Sequence, residues 1–197
     1  MDNKESGPKA LYSLLILTWP NLISLSRLVS LPLIAWLLLE NHVLAAFIAC
    51  VIAGLSDMFD GFVARMLKTQ STVGAYLDPL ADKVLLVGVF YLLSYKGWVD
   101  PWLFFIVIFR DLLIIGGALL LFISNKSFNV KPLMVSKINT LLQIVLVAWI
   151  LGSKALEVEA LTISSLLIYS VTTTTIISGI AYMVAWLRYF AYSESKT

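Results

Sequence analysis

Seven charged residues fall in the 27 positions from Asp57 to Lys83, four of them the carboxylates Asp57, Asp60, Asp78 and Asp82. Crowded into a low dielectric, such carboxylates repel one another or take up protons. A hard divalent cation removes the conflict, and an all-oxygen donor set suits Mg²⁺, Mn²⁺ or Ca²⁺ rather than zinc. Four carboxylates sharing two ions ~4 Å apart would suit a displacement at phosphorus. Arg65, in the same stretch, could then hold phosphate oxygens in a planar fork. The rival is an inert ion-pair cluster of the Asp60–Arg65 or Asp82–Lys83 kind, but seven charges exceed what packing alone requires.

The elements that must position these groups are apolar. The 197-residue chain is 60% hydrophobic and 13% charged, with a mean hydropathy of +0.92. That composition predicts an all-α membrane protein, because a soluble domain of this size needs a more charged surface. Apolar segments near residues 22–39, 43–65, 73–95, 101–124, 133–152 and 160–187 predict six transmembrane helices. The shorter stretch "ALYSLLILTW", closed by Pro20, reads as an interfacial helix. The chain is read as one domain over 1–197, with a tail and interfacial helix to residue 20 and a six-helix bundle over 21–190. Lys4, Lys9, Arg65, Lys68, Lys126, Lys131, Lys137, Arg188 and Lys196 fall on the N-terminal side, against Lys96 and Lys154 opposite. The positive-inside rule therefore makes both termini cytoplasmic.

Position along these helices brings the carboxylates together. Asp57 comes ~22 Å after the second span begins near His42, close to the cytoplasmic boundary. Asp78 and Asp82 lie one to two turns into the third span from that same side. Asp57, Asp60 and Gly61 share one helical face, as do Gly74, Asp78 and Asp82, so neighbouring helices offer two carboxylates each to one cavity. The six tryptophans lie near span ends and read as an aromatic belt. Gly116–Gly117 and the small residues of "SVTTTTIISGIA" read as sites of close helix packing.

The stretch Asp57-x2-Asp60-Gly61-x2-Ala64-Arg65-x8-Gly74-x3-Asp78-x3-Asp82 resembles the signature of the CDP-alcohol phosphatidyltransferase family, with every fixed position filled. The resemblance implies that the four aspartates hold two divalent ions, Mg²⁺ or Mn²⁺, and that Asp82 doubles as the general base. It implies that Gly61 and Gly74 let the nucleotide approach, that Arg65 and Ser71 bind the diphosphate, and that Asn21 touches the nucleotide. The reaction implied is attack of an acceptor hydroxyl on the lipid-bearing phosphorus of CDP-diacylglycerol, with CMP leaving. "KPLMVSKINTLLQIVLVA" resembles the CMP-forming cardiolipin synthases, whose acceptor is phosphatidylglycerol, and Arg110 and Lys137 become candidates for binding it. Phosphatidylglycerophosphate synthesis, with glycerol-3-phosphate as acceptor, is the alternative. The family also implies a homodimer.

Other functions are disfavoured by simple counts. One histidine, His42, cannot supply the paired His-x-Lys motifs of a phospholipase-D-type enzyme. A net charge of +2 without a basic stripe gives no reason to expect a nucleic-acid partner. A small cation transporter is a remote alternative, since the outer halves of the second and third spans are almost wholly apolar. Cys50 stands alone, excluding a disulfide framework. The N-terminus lacks transit-peptide character, which points to a bacterial inner membrane ahead of a mitochondrial one.

Overall fold

The computed structural model describes residues 19–67, 74–123, 134–159 and 161–194, with side chains over 29–56, 83–117, 134–159 and 161–188. Six helices account for the described chain: α1 (Trp19–Leu39), α2 (Val43–Leu67), α3 (Gly74–Tyr95), α4 (Pro101–Ile123), α5 (Met134–Ala155) and α6 (Leu161–Glu194). No strand occurs among the described residues. The apolar runs thus form the expected helices, with shifts at the ends. Trp19 and Pro20 belong to the first turn of α1, where proline's missing N–H costs nothing. The expected interfacial helix, residues 10–19, otherwise lies outside the described residues.

Three short turns join α1 to α2, α3 to α4 and α5 to α6, and each stops its helix in the same way. Asn41, Gly97 and Glu157 take left-handed backbone angles, with φ of 61°, 71° and 54°. In each turn the next amide donates to a carbonyl five residues back: His42 to Leu37 at 2.8 Å, Trp98 to Leu93 at 3.0 Å, Val158 to Ser153 at 2.9 Å. These closures satisfy carbonyls that a helix end leaves orphaned. Lys96 donates to Asn41 at 2.9 Å, tying the first turn to the second at one end of the bundle.

The core near that end is dry, built from Ile34, Leu38, Val89, Phe90, Leu93, Leu103, Leu146 and Leu151. Close crossings tighten it. A Cβ on Gly88 would lie 2.6 Å from the Leu31 side chain, so α3 meets α1 there with no room for a methyl group. Gly117 lies under the Trp186 ring, where an added Cβ would fall 1.5 Å from a ring carbon. Trp186 thus packs between α4 and α6, and it lies in the last turn of the apolar stretch Leu161–Arg188. Gly116 meets nothing within 4 Å.

Polarity is inverted relative to a soluble protein. Arg110, Asp111, Asn139, Gln143, Thr175 and Ser178 are buried, while Phe105, Phe109, Leu112, Leu141, Leu166 and Leu187 are exposed. Contiguous exposed apolar surface of this kind is untenable in water and costs nothing in hydrocarbon. Two stretches, Met134–Ala155 and Leu161–Arg188, are long and apolar enough to cross a membrane within the described residues, with mean hydropathies of 1.8 and 1.5. The hydroxyls of Ser170, Thr172 and Thr173 each donate to the carbonyl four residues back, which satisfies them within their own helix.

Candidate active site

The aspartate motif is divided between two helices. Asp57, Asp60, Gly61 and Arg65 lie in the last three turns of α2, and Gly74, Asp78 and Asp82 in the first three of α3. Asn21 is in the first turn of α1. The side chains of all these residues, and Ser71 altogether, lie outside the described residues.

Helical register sets the heights of the two halves. Counting equal steps from the three-residue turn between α1 and α2, Asp57 comes level with Leu25 of α1 to within about a turn. Counting equal steps back from the Leu31–Gly88 crossing, Asp82 comes level with the same Leu25. Among the described residues α2 and α3 do not pack on each other; α1 lies against both, and α5 touches both. Counting along the helices thus puts Asp57 and Asp82 at one level of the bundle, on two helices that both pack against α1.

Beside Asp82, Lys83 reaches across to α4 and donates to both carboxylate oxygens of Asp111 at 2.9 Å. Asp111 also accepts from Arg110 Nη1 at 2.6 Å. Neighbouring residues on a helix point about 100° apart, so one face of α4 cannot bury both. Instead α4 is flanked, with Asp111 serving α3 and Arg110 serving α6. Arg110 Nε and Nη2 donate to Ser178 at 3.1 and 2.8 Å, and Nη2 donates to Ser136 of α5. Four helices are pinned through one buried guanidinium and one buried carboxylate, 3% and 5% exposed at the side chain.

One turn further along, Asn139 of α5 accepts from Thr174 and Thr175 of α6, each at 2.8 Å. Asn139 Nδ2 and both ends of the Gln143 amide have no partner among the described residues, although both residues are fully buried. Lys137, opposite Asn139 around α5, is exposed. Of the residues expected to bind the acceptor, then, Arg110 is enclosed by its own partners and Lys137 stands at the surface.

Lys83 and Ser178 are the residues that sequence reasoning did not place in the site. A signal existed for Lys83: a carboxylate next to Arg110 on a helix needs a partner on another helix, and a lysine on α3 is in reach. Ser178 carried no such signal, since a serine among threonines reads as packing.

Comparison with known proteins gives this arrangement a family. A model described as CDP-alcohol phosphatidyltransferase matches residues 17–187. The chain is 36% identical over 188 residues to the chloroplastic CDP-diacylglycerol–glycerol-3-phosphate 3-phosphatidyltransferase 1 of Oryza sativa subsp. japonica, covering 86% of this chain and 57% of that protein. It is 33% identical over 160 residues to the CMP-forming cardiolipin synthase of Homo sapiens, covering 72% and 53%. It is 31% identical over 176 residues to the CDP-diacylglycerol–glycerol-3-phosphate 3-phosphatidyltransferase of Rickettsia bellii, covering 87% and 96%. The chain thus spans little more than half the length of the rice and human relatives and nearly all of the bacterial one. The aspartate motif divided between α2 and α3, the polar network that starts at Lys83 and a family match over most of the chain lead to one identification: this chain belongs to the CDP-alcohol phosphatidyltransferase family.

Proposed function

We propose that this chain transfers the phosphatidyl group of CDP-diacylglycerol to a hydroxyl of phosphatidylglycerol, giving cardiolipin and CMP. The observation that carries the acceptor choice is the charge of the buried network: Lys83, Arg110 and Asp111 together bear one net positive charge. A phosphodiester headgroup bears one negative charge, so the two balance. Glycerol-3-phosphate carries nearly two at neutral pH and would leave a surplus in a low dielectric. The second reading, phosphatidylglycerophosphate synthesis, draws support from the rice and Rickettsia relatives and from exposed Lys137, which a soluble acceptor could meet.

In this reading the four aspartates form an all-carboxylate set carried by two helices, a donor chemistry that suits the hard divalent ion the family implies. Asp57, Asp60, Asp78 and Asp82 would hold two Mg²⁺ or Mn²⁺ ions, which when bound neutralise the carboxylates and polarise the reacting phosphate. The chain's own groups do the rest. Asp82 takes the proton of the acceptor hydroxyl, which attacks the lipid-bearing phosphorus as CMP departs. Arg65 and Ser71 hold the diphosphate, with Asn21, Gly61 and Gly74 against the nucleotide. Arg110 keeps α4, α5 and α6 in register around the acceptor and contributes charge to its phosphate. The same reading puts the chain in a bacterial inner membrane as a six-span bundle with both termini cytoplasmic, working as a homodimer. The inverted polarity supports the membrane embedding, and the basic residues on the N-terminal side support the orientation.

The deciding experiment gives the purified protein CDP-diacylglycerol with Mg²⁺ or Mn²⁺ and either phosphatidylglycerol or glycerol-3-phosphate, then identifies the lipid formed. Cardiolipin is expected from the first pair. Phosphatidylglycerophosphate from the second pair alone would transfer the assignment to the other reading.

A further inference from the structure

We propose that Lys83 is the residue that contacts the acceptor's phosphate, with Asp111 holding its ammonium in place. The inference rests on the transferase reading above and assigns the residue that meets the acceptor.

Two cations lie in the buried network, and their surroundings separate their roles. Arg110 is enclosed: its guanidinium donates to Asp111, Ser136 and Ser178, and its side chain is 3% exposed. A phosphate could reach it only by displacing those partners. Among the described residues Lys83 has the single partner Asp111, and its side chain is 28% exposed. An ammonium carries three donor protons, so two bonds to one carboxylate leave at least one free.

The open side of Lys83 faces inward. Residues seven apart share a helical face, which groups Lys83 with Phe90, wholly buried in the core. The adjacent residues Val84 and Tyr91 form the lipid-facing side of α3, 39% and 54% exposed. The surface left on Lys83 therefore lies within the bundle, one residue beyond Asp82. Asp111, which is 5% exposed, is balanced by two cations, and the surplus positive charge resides where Lys83 is open. A phosphate oxygen of the acceptor would meet that open side and accept the proton Asp111 leaves free, a charge-assisted contact.

The test compares wild type with Lys83→Met, Lys83→Arg and the double variant Lys83→Met/Asp111→Asn, each with CDP-diacylglycerol and the acceptor it turns over in mixed micelles. Loss of one charge-assisted contact is expected to raise the acceptor KM on the order of 10- to 100-fold in Lys83→Met. The KM for CDP-diacylglycerol should stay within about threefold, and Lys83→Arg should recover most of the acceptor KM. The double variant leaves no unpaired carboxylate, so it separates loss of the contact from misfolding, and it should show the same rise. A second readout needs no turnover: vesicles or micelles of phosphatidylglycerol should raise the thermal midpoint of wild type and Lys83→Arg but not of Lys83→Met. An unchanged acceptor KM in a folded variant, or a rise confined to the KM for CDP-diacylglycerol, overturns the inference while the transferase reading stands. Wild type that releases no CMP with either acceptor overturns the transferase reading itself.

Discussion

Replacing Arg110 with alanine would strip Ser136, Ser178 and Asp111 of a shared donor and leave a buried carboxylate with one cation. Breaking a buried pair in this way costs about 3–5 kcal/mol, so Arg110→Ala should lower the thermal midpoint in detergent sharply. Arg110→Lys should recover only part of that, because a single ammonium cannot bridge three partners on three helices. Asp82→Asn tests the chemistry instead. The amide can neither accept a proton as a base nor carry full charge, so CMP release should fall by ~100-fold or more with the fold intact. Retained activity would remove Asp82 from the base role. The distinction at this scale is between groups that react and groups that hold, and Arg110 is of the second kind by its contacts.

Close approach between helices is where single methyl groups matter. Gly117→Ala would place its methyl inside the Trp186 ring, so α4 and α6 must separate or the indole must rotate out. Overpacking of this sort costs about 1–3 kcal/mol, read as a lowered thermal midpoint, and Trp186→Ala in the same chain should return part of it. Gln143 poses the opposite case. Its amide is fully buried beside Leu146 and Leu142 with no partner among the described residues. Gln143→Met keeps the length and removes the polar ends, which should raise stability by ~1 kcal/mol. A fall would show that the amide is paired in the working enzyme. The small-residue run of α6 is consequently two things at once: threonines that bond their own helix, and Thr174, Thr175 and Ser178 that bond α5 and α4.

For the whole molecule, the exposed apolar faces and buried polar network require a bilayer around them. Single cysteines introduced at Lys96 and Lys154 should react with a membrane-impermeant reagent from outside intact cells, and one at Lys137 only after permeabilisation. Labelling of all three from one side would overturn the six-span arrangement. Chelation should abolish CMP release, and Mg²⁺ or Mn²⁺ should restore it without refolding the protein.

The aspartate motif and six apolar runs were legible in the residues themselves, because carboxylate spacing and bilayer-length hydrophobicity are properties of a single segment. Asp57 and Asp60 on one helix and Asp78 and Asp82 on the next follow from a period of 3.6 and need no tertiary contact. Which way each helix turns about its axis is another matter. Trp186 read as an interfacial residue from its place near a span end, and only the tertiary structure shows its ring pressed on Gly117 of α4. Arg110 read as a candidate for binding the acceptor or as half of a buried pair that docks helices, and tertiary packing surrounds it with Asp111, Ser136 and Ser178 while Lys83 keeps an open side. Hydrophobicity determines that a segment crosses the membrane, whereas its rotation and neighbours depend on contacts between residues 26 to 68 positions apart. The sequence by itself thus determined the family motif and the helices that carry it; only the tertiary structure decided that Arg110 is enclosed by partners on three helices while Lys83 keeps an open side, because helix rotation is set by contacts between distant residues.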